Sequence, residues 1–177
     1  KLETLESLSA GVTVSRRELN GGSYVWSITF ADEGNDFTLD AIDVSLTGGL
    51  YRDLSGLSPF FASLTSAGSI TVENSKMEKL PYFPVLISID SLSLAFNEQI
   101  QNFDRTFPAL SPVAGDVTIS KNGALRDLSG LESVEEVGGK LSIEQERSLL
   151  SLDGLGGLRR LLGGLSIAAN AELEDVS

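Results

Sequence analysis

Gly115-Asp-Val-Thr-Ile-Ser-Lys-Asn-Gly-Ala-Leu125-Arg-Asp-Leu-Ser-Gly-Leu131 is followed, 24 residues on, by Gly139-Lys-Leu-Ser-Ile-Glu-Gln-Glu-Arg-Ser-Leu149-Leu-Ser-Leu-Asp-Gly-Leu155, and a third copy opens at Gly163. Laid one over another, the copies align four apolar columns: Val117, Leu141 and Leu165; Ile119, Ile143 and Ile167; Leu125, Leu149 and Leu173; Leu128, Leu152 and Val176. Each copy begins apolar-x-apolar, the alternation of a short strand with two side chains turned inward. A unit of this size cannot bury its apolar residues alone, so a fixed period predicts stacked coils sharing one core.

The pattern extends upstream with looser spacing. Leu92 and Leu94 open one coil, Ile70 and Val72 another, Val44 and Leu46 the first, giving steps of 26, 22, 25, 24 and 24 residues between starts. Leu54, Leu80, Phe103, Leu128 and Leu152 supply a second inward wall, continued by Leu57, Phe83, Leu131 and Leu155. The prolines, at 59, 81, 84, 108 and 112, avoid the opening strands, where each would delete a hydrogen bond between coils. Asn97, Asn122 and Asn170 recur five residues after the coil start, with Glu146 at that place in the intervening coil. An inward asparagine there is expected to satisfy backbone groups at the bend.

The phrases Leu128-Ser-Gly-Leu-Glu-Ser-Val-Glu-Glu-Val-Gly-Gly-Lys-Leu-Ser-Ile143 and Leu152-Asp-Gly-Leu155 resemble the repeat of receptor L-domains and of related fungal cell-wall surface proteins, most strongly over 114–167. The resemblance implies a right-handed leucine-rich solenoid with parallel sheets, in an extracellular or cell-surface setting. This chain lacks the cysteines that cap animal receptor L-domains.

Residues 1–40 do not share the period. Val12-Thr-Val-Ser, Tyr24-Val-Trp-Ser-Ile-Thr-Phe30 and Phe37-Thr-Leu read as strands, with a turn at Asn20-Gly-Gly22. Tyr24, Trp26, Ile28 and Phe30 share a face, and so few strands need something to lie on. The segment is similar to the closing strands of Ig-like repeats in algal and protist surface proteins. The expected organisation is a mainly β chain: a small antiparallel module or cap at 1–40, then a leucine-rich solenoid at 41–177 with coils of 22–26 residues, five plus an incomplete sixth.

Composition narrows the chemistry. Of 177 residues, 25 are acidic and 13 basic, a formal charge of −12 that repels nucleic-acid backbones and anionic membranes. Without cysteine or histidine, thiolate catalysis, disulfides, cysteine zinc sites and Ser-His-Asp arrangements are excluded. No apolar run reaches the roughly 20 residues of a membrane span. The first residue is not Met and no signal-peptide core follows, so the chain reads as processed or excerpted. P-loop, GxGxxG and N-glycosylation motifs are missing. Asp32-Glu-Gly-Asn-Asp36 gathers oxygen ligands, making Asp32 and Asp36 a weak calcium candidate against a solvated loop.

The outward strand positions, Ser45, Thr71, Ser93, Thr118, Ser142 and Ser166, form a neutral row that reads as a ligand face or simply a good β surface. The expectation is a non-enzymatic module of a larger surface or filament protein, acting in spacing, adhesion or assembly, with its own kind or neighbouring domains as partners and no cofactor. The alternatives are a receptor-like ectodomain recognising a glycan or peptide, and a β-helix carbohydrate-active enzyme. Leu165, Ile167, Leu173 and Val176 stay on the apolar columns to the end, which predicts an assembly surface there. A 24-residue shift carries Glu135 onto Arg159, Glu136 onto Arg160 and Asp116 onto Lys140, so opposite charges are expected to stack. Ile119, Ile143, Leu128 and Leu152 are expected to be almost fully buried.

Overall fold

The computed structural model describes the backbone strands 2–5, 12–18, 24–30 and 43–49, residue 61, and residues 64–174 with their side chains; structural statements below concern these residues. The chain is mainly β with almost no helix. In order, the strands are β1 (Leu2–Leu5), β2 (Val12–Glu18), β3 (Tyr24–Phe30), β4 (Asp43–Gly49), β5 (Ser66–Ser75), β6 (Ser88–Ala95), β7 (Val117–Ser120), β8 (Glu136–Val137), β9 (Leu141–Glu144), β10 (Arg160–Leu161) and β11 (Leu165–Ala168).

A six-stranded sheet in the order β11-β9-β7-β6-β5-β4 is parallel throughout, so every connection returns the chain to the same edge one strand further on. The result is a parallel β-solenoid of about four turns. Its register runs Val44, Ile70, Leu92, Val117, Leu141, Leu165, the same coil starts that the sequence spacing predicts. A shorter parallel ladder lies on the return path, where Ile89 pairs with Val113, Val113 with Val137, and Val137 with Leu161. Separately, β1, β2 and β3 pair antiparallel.

Between the two ladders sits one core. Ile70, Leu92, Leu94, Ile119 and Ile143 enter it from the main sheet, Ile89, Val113 and Val137 from the shorter ladder, and Phe83, Phe103, Leu125, Leu128, Leu131 and Leu149 from the connections. Phe83 lies between Phe61 and Phe107, tilted against the first and stacked on the second, with ring centroids 4.6 and 5.4 Å apart. The looser early coils are thus filled by aromatic rings where later coils use leucine. Leu152 corrects the expectation: it is only half-buried, at the C-terminal end of the core, where its column partner Val176 lies outside the described residues. Leu54 and Leu57 lie outside the described residues.

Two glycine positions explain the repeated motif. Gly130 and Gly154, the glycines of Leu-x-Gly-Leu, have φ near +108° and +107°, and a Cβ at either would collide with the carbonyl oxygen of Phe103 or Leu128 on the coil before. Gly139 and Gly163 lie so close to the preceding coil that a Cβ would strike its backbone, and each donates its N–H to the glycine below at 2.9 Å. Glycine therefore sets the coil-to-coil approach on this side.

Candidate functional site

From β5 on, the coils leave the main sheet through a residue in the left-handed region: Asn74, Phe96, Lys121, Gln145 and Ala169, with φ between 52° and 59°. None is glycine, and the conformation costs each about 1–2 kcal/mol relative to a relaxed backbone. The following residue compensates by turning inward. Asn97 Oδ1 accepts from Ser75 N and Oγ at 3.1 and 2.7 Å, Asn122 Oδ1 accepts from Asn97 N and Nδ2 at 3.1 and 3.0 Å, and Asn170 Oδ1 accepts from Glu146 N at 2.9 Å. Asn97, Asn122 and Asn170 also donate through Nδ2 to the carbonyls of Val72, Leu94 and Ile143 on the coil before. The expected ladder is therefore present, buried except at the half-buried Asn170, and continuous through Glu146, whose Oε2 and Oε1 accept from Asn122 N and Nδ2 at 2.9 and 3.0 Å. Burial, the largest influence, pushes the Glu146 carboxyl up to about 7 against the lowering effect of Asn122's hydrogen bonds; Glu98 adds to the rise.

Outside this corner, the same residues form a groove of about 420 Å³ lined by Phe96, Glu98, Lys121, Gly123, Gln145, Arg147 and Ala169. Gly123 gives it depth: a Cβ there would collide with the Glu98 carboxylate, which occupies that space. Lys121 Nζ lies 4.6 Å from the Phe96 ring centroid, a cation–π contact. Nothing in the sequence pattern marks this groove, because its lining residues share a corner and no common chemistry.

On the outer face of the main sheet, Ser45, Thr71, Ser93, Thr118, Ser142 and Ser166 stand in one register row. The row is less free than its composition implies. Ser142 is buried, and Ser142 Oγ and Ser166 Oγ both donate to Glu144 Oε1, at 2.6 and 2.8 Å; Ser93 Oγ donates to Glu73 at 3.5 Å. The bond from Ser142, then that from Ser166, hold the Glu144 carboxyl below its ordinary range, with the Lys140 charge adding to them. Two positions along the strands, a second row reads Thr47, Glu73, Ala95, Ser120, Glu144 and Ala168. Its two glutamates, Glu73 and Glu144, stand on strands three steps apart, about 14 Å between backbones at the usual spacing.

At the C-terminal end, β11 pairs with β9 on one side and has no strand on the other among the described residues. Leu165 and Leu162 are 57% and 62% exposed, Ile167 and Leu173 half-buried. Val176, Asp32 and Asp36 lie outside the described residues. Among the expected charge pairs, Arg160 meets Glu136 at 3.2 Å. Arg159 donates its backbone N–H to the Glu135 carbonyl at 2.8 Å without a side-chain ion pair, and Asp116 accepts from the backbone N–H of Lys140 at 2.7 Å while the Lys140 ammonium turns to Glu144 at 3.7 Å. Register is kept in all three, but only one is a salt bridge. Among the described residues, no cluster of three metal-ligating side chains occurs and no helix is long and apolar enough to cross a membrane.

Searches against protein-family descriptions, curated proteins and solved structures find no match to this chain.

Proposed function

We propose that the chain is a non-enzymatic structural module of a larger extracellular surface or filament protein, a right-handed, leucine-rich, L-domain-like solenoid that acts in spacing, adhesion or assembly. The observation that carries this reading is the open C-terminal end. Leu165 occupies the column in which Leu141 is buried, yet it is 57% exposed, beside a strand edge that no strand pairs among the described residues. Apolar columns and an open edge of this kind are what another coil, domain or subunit covers. The antiparallel strands β1–β3 serve on this reading as the cap of the opposite end. Light scattering across a concentration series tests it: the chain is expected to self-associate, and the double variant Leu162→Lys, Leu165→Lys to stay monomeric because a charge then replaces both exposed leucines. A wild-type chain that is monomeric at every concentration contradicts the reading.

The second reading, recognition of a glycan or peptide, draws support from the corner groove, where Phe96 offers an aromatic ring and Gln145 and Arg147 offer planar polar groups. Retention on immobilised acidic and neutral glycans, lost in Arg147→Ala, is its expected signature. A carbohydrate-active enzyme finds little support on the sheet face, where Glu73 and Glu144 sit on strands three steps apart, a backbone separation of about 14 Å, whereas paired carboxyls that cleave a glycosidic bond stand roughly 5–9.5 Å apart. Glycan cleavage on incubation would restore that reading.

A further inference from the structure

Glu146 occupies a position built for an amide. In the coils that carry asparagine here, the side chain does two things at once: its oxygen accepts from the coil before, and its NH2 donates to the carbonyl of Val72, Leu94 or Ile143 on that coil. By register, the carbonyl that Glu146 should serve is that of Ile119. A carboxylate has no hydrogen to give it. The coil after is short of a donor in the same way. Asn122 Oδ1 receives both the backbone N–H and the Nδ2 of Asn97, whereas Asn170 Oδ1 receives only the backbone N–H of Glu146.

The side chain is 0% exposed, and among the described residues no cation pairs with it. The charged group that reaches it is Glu98, of its own sign, on a coil before. Lys121 and Arg147 line the solvent groove, and Glu144 is held by Ser142, Ser166 and Lys140. An ionised Glu146 would therefore be a buried charge neutralised only by the two N–H groups of Asn122, facing the oxygen of Asn170. A neutral Glu146 keeps both bonds from Asn122 and gains one O–H to donate to the Asn170 oxygen, the second donor that Asn122 Oδ1 already receives from Asn97.

We propose that Glu146 is a proton-operated latch between coils: protonated, it completes the ladder and holds the coil 165–174 down, and ionised, it loosens that coil. The sign follows from linkage. An exposed glutamate loses its proton near 4.5, whereas the docked Glu146 keeps it to about 7, so the docked form binds one more proton than the opened form between those values. Docking is strongest below pH 4.5, weakens as pH rises to about 7, and is level above it.

Two measurements on the intact chain test the latch. In a carbon-13 titration the Glu146 carboxyl is expected to titrate near 7, well apart from the exposed glutamates. Hydrogen exchange of the amides of 165–170, corrected for intrinsic pH dependence, is expected to lose protection by up to about tenfold per pH unit between 5 and 7 in the wild type. It is expected to stay level in Glu146→Gln, which supplies a permanent donor; should that variant not fold, Glu146→Asn, the residue of the neighbouring coils, takes its place. A Glu146 carboxyl titrating in the ordinary range, or a variant whose protection falls with pH as the wild type's does, overturns the proposal. The inference is independent of the assembly reading, because it concerns the docking of a coil within one chain.

Discussion

The coil at 141–155 and the coil at 165–174 have the same pattern and opposite environments. Leu141, Ile143 and Leu149 are 1%, 0% and 0% exposed; their partners one register step on, Leu165, Ile167 and Leu173, are exposed or half-buried. The strand pairing, the left-handed corner and the ladder residue are all retained at the end. Local sequence is therefore sufficient to shape a coil, while burial comes from the neighbour stacked above it. Stability in this molecule belongs to interfaces between coils more than to coils themselves.

That comparison can be broken by substitution. The largest effect is expected for Leu128→Ala, at a fully buried site with coils on both sides: a loss of about 2–5 kcal/mol through lost burial and an unrelaxed cavity, read by denaturant unfolding. Leu152→Ala, the same residue one step towards the end and only half-buried, is expected to lose clearly less. Equal losses would mean that the last turn is as well covered as the interior.

Next in size is the ladder. Asn122→Ala removes the acceptor of Asn97 and the donor to Leu94, all buried, at about 1–3 kcal/mol for a group left unpaired. Asn170→Ala, half-buried at the end, is expected to cost less because water can replace the lost partner. The smallest effect belongs to the surface pair. Arg160→Ala is expected to change stability by about 0.2–1 kcal/mol, since both side chains of the Glu136–Arg160 bridge are substantially solvated.

Much of this architecture could be read from the sequence because a parallel solenoid writes its register directly into the spacing. Steps of 26, 22, 25, 24 and 24 between apolar pairs are the strand register itself. The asparagine ladder was legible for the same reason. The left-handed corners were not: Asn74, Phe96, Lys121, Gln145 and Ala169 share a backbone conformation and no side-chain property, since the bend is imposed by stacking and by the inward residue that follows. The shorter ladder was hidden because Ile89, Val113, Val137 and Leu161 contribute single apolar residues without a strand-like alternation around them. Glu144 stands on the outer face by simple alternation, two positions after Ser142; what spacing does not encode is the side-chain rotamer that ties it to Ser142 and Ser166. Asp116 shows the limit of register arguments: the alignment with Lys140 is right, but the backbone N–H reaches the carboxylate and leaves the ammonium free to pair elsewhere.

The central claim, that burial is conferred by the next coil, is tested most directly by hydrogen exchange compared between the amides of 141–144 and 165–168 at low and high protein concentration. The account predicts strong protection of 141–144 at both, and weak protection of 165–168 at low concentration that rises as the chains associate. Full protection of 165–168 in a dilute, monomeric sample would show that the end coil is self-sufficient and would contradict the account.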